Sequence, residues 1–143
     1  MFKKITLPML AMLALAACDA PSQTSLRAAP GSTAQGAVNA VVVTRAEALF
    51  IAAVCNKRGI TLRDTNYRAA LTRDVRNLNQ QGFTLPELDK AAKRATGNQQ
   101  LAKAAVARLK AKGARRNDPA SICAVGRREM AAGTAVGRLL KKN

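Results

Sequence analysis

Residues 118–140 read DPASICAVGRREMAAGTAVGRLL, and the expected fold turns on this stretch. Asp118 followed by Pro119 is a helix start: the aspartate side chain accepts from the free amide protons of the first turn, and proline at the first helical position lacks only a proton that had no partner there. The helix is expected to run from Pro119 to about Lys141, with Ile122, Gly126, Gly133, Val136 and Leu140 on its inward stripe. Gly126 and Gly133 each cost about 1 kcal/mol relative to alanine in a helix interior, so a packing reason is expected for them. Another helix should pass close at both glycines.

Working back from this helix, the chain shows a repeated rhythm of helix and glycine. Asn98 caps a helix through Leu101, Ala105 and Leu109 to Gly113. Before it, Thr84 and Glu87 have the spacing of a capping box with Pro86 in the first turn, and Leu85, Leu88, Ala91, Ala92 and Ala95 are expected to face inward. A further helix begins near Asp64 or Thr65 with Tyr67, Leu71, Val75 and Leu78 on one face, presents Arg68, Arg73 and Arg76 outward, and ends at Gly82. The first secure helix is expected near Arg45, since Thr44 and Glu47 also have capping-box spacing and the β-branched run Val41, Val42, Val43 weakly disfavours nucleation. Apolar spacing also permits a start near Ala37. Leu49, Phe50, Ala53 and Val54 are its expected apolar side, and Lys57, Arg58 and Gly59 its end. No strand-like alternation is visible. The expectation is an all-α domain over residues 38–143, a small bundle of four to five short helices.

The N-terminus reads as an export signal over residues 1–17. Lys3 and Lys4 form its charged part, Ile5 to Leu15 its apolar part, and small residues lead up to Cys18. It is too short to span a bilayer stably. Leu15, Ala16, Ala17 and Cys18 resemble a bacterial lipoprotein box, which implies a lipidated Cys18 and a membrane anchor; the competing reading is ordinary cleavage with Cys18 left as a free thiol. Asp19 resembles an inner-membrane retention signal, so the choice of membrane stays open. Residues 18–37 are rich in Ser, Thr, Gln, Pro, Gly and Ala with no apolar period, and are expected to be a flexible tether.

The sequence contains three cysteines. With Cys18 lipidated, Cys55 and Cys123 are the only pair left, and an exported protein with two thiols usually bonds them. Closing so long a loop contributes about 4 kcal/mol in the chain-entropy account. The sequence carries a formal charge of +16, and losing Lys3 and Lys4 with the signal removes only two of those charges. Such a chain favours anionic partners: lipid head groups or cell-wall polymers on the periplasmic side, with nucleic acid excluded by the export route. The densest basic surface is expected at Lys103, Arg108, Lys110, Lys112, Arg115 and Arg116.

A late Asp-Pro, then Cys, spaced Gly, Glu and Gly, and a terminal Leu pair stand here as Asp118, Pro119, Cys123, Gly126, Glu129, Gly133, Thr134, Gly137, Leu139 and Leu140. In these residues the chain resembles an uncharacterised family of small exported helical proteins of alphaproteobacteria. The resemblance implies an exported helical domain with a paired cysteine, and it supplies no activity for the chain. The lipoprotein box departs from the plain signal peptides of that family.

Candidate chemistry is sparse. Glu129 falls in the middle of the inward stripe of the last helix, Asp74 lies between Leu71 and Leu78, and Arg45 points inward if the first helix starts early. Buried charges need partners, so Arg45, Asp74 and Glu129 are expected to form one interhelical ion-pair cluster, with a structural role. Two carboxylates could serve glycoside cleavage, but such a site needs an aromatic-lined cleft, and the sequence has one Tyr, three Phe and no Trp. Without histidine, and with two bonded cysteines, no metal site is expected. No Cys-x-x-Cys, phosphate loop, catalytic residue or cofactor is expected either. The function expected is that of a non-enzymatic envelope lipoprotein, a structural or binding module; the alternative is a cell-wall-active enzyme or a regulator of one.

Overall fold

The computed structural model describes residues 26–143; the expected signal, the expected lipidation site Cys18 and the first part of the expected tether lie outside the described residues. In chain order the elements are α1 (Ala34–Cys55), a 3-10 turn (Asn56–Arg58), β1 (Ile60–Leu62), α2 (Tyr67–Gln80), α3 (Leu85–Ala95), α4 (Gln99–Ala111), α5 (Pro119–Ala131), α6 (Ala135–Leu139) and β2 (Leu140–Lys142). The fold is all-α, with one short two-stranded ribbon.

Helix α1 is the axis of the bundle. It begins three turns before Arg45, where the Thr33 hydroxyl accepts from the Gly36 amide at 3.1 Å. The β-branched run does not stop it, because Val38, Val41 and Val43 are buried and tertiary burial outweighs a weak local preference. Thr44 and Glu47 are therefore not a cap; both are buried in mid-helix. The inward face also differs from the expected one: Ala48, Ile51, Ala52 and Cys55 are buried, whereas Leu49 and Phe50 are 48% and 37% exposed. A helix apolar on nearly every side does not declare its core face by periodicity. The stretch Ala34–Arg58 is long and apolar enough to cross a membrane by composition, yet 56% of its apolar window is buried inside the fold.

Two apolar clusters form along α1. Around its first half, Val38 and Val41 pack with Leu78 of α2, with Leu88, Ala91 and Ala95 of α3, and with Leu26. Around its second half, Ile51 and Cys55 pack with Ile60, Leu109, Ile122, Cys123, Val125 and Leu140. Docking of Leu26, with the Ala28 amide donating to Gln81 Oε1 at 2.8 Å, corrects the tether reading at its end. Leu26 lies against the bundle and the chain is helical from Ala34, because one apolar side chain in a polar stretch finds a cover between helices.

Caps set the starts of α3, α4 and α5 as expected, whereas α2 starts at Tyr67, later than the expected Asp64 or Thr65, because Asn66 caps it by accepting from the Ala69 amide at 3.0 Å. The Thr84 amide and hydroxyl both donate to Glu87 Oε2, at 3.1 and 2.6 Å, and Asp118 accepts from the Ser121 amide at 3.2 Å. Leu85, expected inward, is 58% exposed. The largest departure is at the C-terminus, where the expected single helix breaks after Ala131. Gly133 takes a left-handed φ of +61°, which only glycine adopts cheaply, and the Thr134 hydroxyl caps α6 by accepting from the Gly137 amide at 3.0 Å.

That break redistributes the glycine roles. A Cβ on Gly126 would lie 2.6 Å from Ile51 Cγ2, so α1 does cross closely there. Gly133 meets nothing within 4 Å, and Gly137 is the second close approach, where a Cβ would overlap the Glu129 backbone carbonyl. Beyond α6, β2 pairs antiparallel with β1 in the register Ile60↔Lys142 and Leu62↔Leu140. Three-residue strands leave no period to read, which is why the sequence reading missed them. Cys55 and Cys123 are disulfide-bonded at a sequence separation of 68 and a Cα distance of 5.6 Å. Both are fully buried.

Candidate functional site

The inward-facing charges form two sets, not one. Arg45 of α1 and Asp74 of α2 make a buried ion pair, their side chains 9% and 2% exposed. Arg45 Nη2 also donates to the Ala70 carbonyl at 3.3 Å. Glu129 does not join them. Its partners are the Thr134 hydroxyl, donating at 2.6 Å, and Lys112 Nζ at 3.3 Å. The expected single cluster fails because Glu129 lies at the end of α5 beside the α4 C-terminus, while α2 covers a different side of α1.

Lys112 is shared. It also donates to Glu47 at 2.6 Å, and Arg108 approaches the same carboxylate at 3.5 Å. Glu47 is only 1% exposed and was missed, because its spacing from Thr44 mimics a cap. The missed signal is the cysteine: counting back by fours from an inward Cys55 reaches Ile51 and then Glu47, one face of a helix.

The expected basic surface is correspondingly smaller. Lys103, Lys110 and Arg116 are exposed and take no part in the ion pairs among the described residues. Arg108 and Lys112 face Glu47, and Arg115 pairs with Asp118 at 2.8 Å. The Asp118 carboxyl is held below the usual aspartate range, first because it accepts the Ser121 backbone amide and also because Arg115 is adjacent. Local acids thus neutralise half of the expected patch.

A cleft of about 510 Å³ opens between α1, α2, β1 and α6. Its apolar wall is built by Ala48, Leu49, Leu62 and Leu139, and Tyr67, Arg63 and Arg76 stand exposed along it. Within the cleft, Arg45 pairs with Asp74 and Arg73 pairs with Asp64. Arg63 and Arg76 have no carboxylate partner among the described residues. Arg63 is held in place, its Nε donating to the Arg138 carbonyl at 3.2 Å and its Nη2 to the Leu140 carbonyl at 3.3 Å. From helical spacing Arg76 belongs to an outward basic face; that this face borders a cleft walled by α6 and β1 is set by the tertiary fold.

Among the described residues no three Cys, Asp or Glu side chains come together as metal ligands. Asp74 and Glu129 are held by different cations on different sides of α1, so they do not converge on one reacting atom. No curated protein and no solved structure matches the chain. A family model matches residues 32–141, from just before the Thr33 cap into β2, and so takes in both bonded cysteines. The chain belongs to DUF5333, a family of unknown function.

Proposed function

We propose that the protein is a non-enzymatic lipoprotein of the cell envelope, anchored through a lipidated Cys18, whose helical domain is a structural or binding module for anionic envelope partners. The observation that carries the reading is how the charges are divided. The acids Asp74, Glu47 and Glu129 are drawn into packing contacts with cations, while cations such as Lys103, Lys110 and Arg116 remain exposed and without carboxylate partners among the described residues. Acids placed this way fix helices against one another rather than poise a proton. The formal +16 charge, less the two of Lys3 and Lys4 that leave with the signal, then acts at close range, because basic residues contribute about 1 kcal/mol each beside an anionic membrane surface.

Two measurements test it. Labelling cells with a palmitate analogue should mark the wild-type chain and leave Cys18→Ser unmarked. Sedimentation of Cys18→Ser with vesicles should rise with the fraction of anionic lipid and fall with salt. Binding indifferent to both would sink the surface reading, and an unlabelled wild-type chain the anchor.

A further inference from the structure

We infer that the cleft between α1, α2, β1 and α6 is a binding site for a single-chain anionic amphiphile, with Arg63 and Arg76 receiving the head group and the Leu49, Leu62 and Leu139 wall receiving the chain. The inference stands on the cleft's own geometry and does not depend on the anchored reading above.

Three observations carry it. First, about 510 Å³ falls within the roughly 300–1,000 Å³ of small-molecule sites, which combine apolar walls with a few placed polar groups. Second, the charges are unbalanced here in a specific way. Two of the four arginines along the cleft are neutralised by Asp74 and Asp64, and the two that are not, Arg63 and Arg76, line the same apolar wall. On α4, by contrast, the cations nearest the core are answered by Glu47 and Glu129. Third, Arg63 is preorganised. Its two bonds to backbone carbonyls leave Nη1 unused, so its guanidinium is fixed before a ligand arrives and less rotamer freedom is lost on binding.

The apolar wall sets the rest of the ligand. Leu49 is 48% exposed and Tyr67 44% exposed at the cleft, and removing such apolar surface from water favours binding. An inorganic anion would leave that wall wet, and an uncharged alkyl chain would leave both guanidinia unanswered. A ligand with one anionic end and one alkyl chain meets both demands. Carboxylate and phosphate head groups both suit a guanidinium fork, so the test separates them.

The protein carries its own reporter, since Tyr67 is the only tyrosine and there is no tryptophan. The full chain carrying Cys18→Ser, free in buffer without a bilayer, is titrated below the micelle concentration of each probe with decanoate, decyl phosphate, decanol and inorganic phosphate while Tyr67 emission is followed. The expected result is a saturable change with decanoate or decyl phosphate, the tighter of the two naming the head group, and affinity at least about tenfold weaker for decanol and for inorganic phosphate. Arg76→Gln should weaken the charged probe by about tenfold. This variant is the informative one because Arg76 takes part in no ion pair or side-chain hydrogen bond among the described residues, whereas Arg63→Gln also removes bonds to the Arg138 carbonyl of α6 and the Leu140 carbonyl of β2. Equal response to decanol, equal affinity for inorganic phosphate, or unchanged binding in a folded Arg76→Gln would each overturn the assignment.

Discussion

The two apolar clusters along α1 share one helix and are stabilised differently. The cluster around its C-terminal half contains the disulfide, the β ribbon and the close crossing at Gly126. The cluster around its N-terminal half has none of these; it packs alanines and a few leucines from α2 and α3, with Leu26 laid over it. Between them lies a polar belt of Thr44, Arg45 and Glu47, where ion pairs join α1 to α2 and α4. The difference teaches that position and effect of a crosslink are separate matters. The bond sits in one cluster, but the 68-residue separation it spans contains α2 and α3, which build the other, so its restriction of the unfolded chain serves both.

The largest expected effect tests that statement. Cys55→Ser with Cys123→Ser should lower stability by about 4 kcal/mol, and amide exchange should quicken together in α2–α3 and in α5. Exchange that quickens in α5 alone would show that the clusters open independently.

Next comes the belt. Asp74→Asn leaves the Arg45 guanidinium buried and uncompensated, at a cost of about 3–5 kcal/mol in a denaturant melt. Glu129→Gln should cost at most about 1 kcal/mol, because Glu129 is 13% exposed, Lys112 keeps Glu47, and the Thr134 hydroxyl can still donate to the amide oxygen. Equal losses would mean that the two ionic sets are equivalent, against the difference in their burial.

Smaller again is Gly126→Ala. The new methyl would meet Ile51 Cγ2, and overpacking of about 1–3 kcal/mol is partly offset by about 1 kcal/mol of helix propensity. A net loss is expected, and Ile51→Leu, which removes the β-branch, should reduce it in a double-mutant cycle. Additive losses would show that the crossing is not where the cost arises.

The smallest effect is at the Asp118 cap. Its folded carboxyl titrates below the unfolded value, so the stabilisation it brings is complete above the unfolded pKa of about 3.9 and is lost as pH falls through the folded value. The difference in melting temperature between wild type and Asp118→Asn should therefore be steady from neutral pH down to about pH 5 and shrink below about pH 4. A difference that grew on acidification would contradict that direction.

Much of the architecture was legible because helix ends are local chemistry. Thr84 with Glu87, Asn98, and Asp118 with Pro119 each satisfy their own first turn, and no distant residue is needed to predict it. The candidate sites were less legible. Asp74 and Arg45 were readable as inward charges that needed partners, but the partner of Glu129 was not, since Lys112 reaches it from the α4 C-terminus. The cleft left no trace in the sequence, because its walls come from four elements and its unbalanced arginines differ from the paired ones only by which aspartate stands beside them.

The sequence by itself determined where α3 and α4 start and stop and where α5 starts, because caps and glycines act over short range, and it pointed to Cys55 and Cys123 as the pair once Cys18 was set aside as the expected lipidation site. Only the tertiary structure decided which face of α1 is buried, where the last helix breaks, which glycines are close-packed, and which cations stay unpaired. Those depend on what lies across the core: Ile51 against Gly126, Glu47 against Lys112, and β1 drawing the chain after Leu139 into a strand.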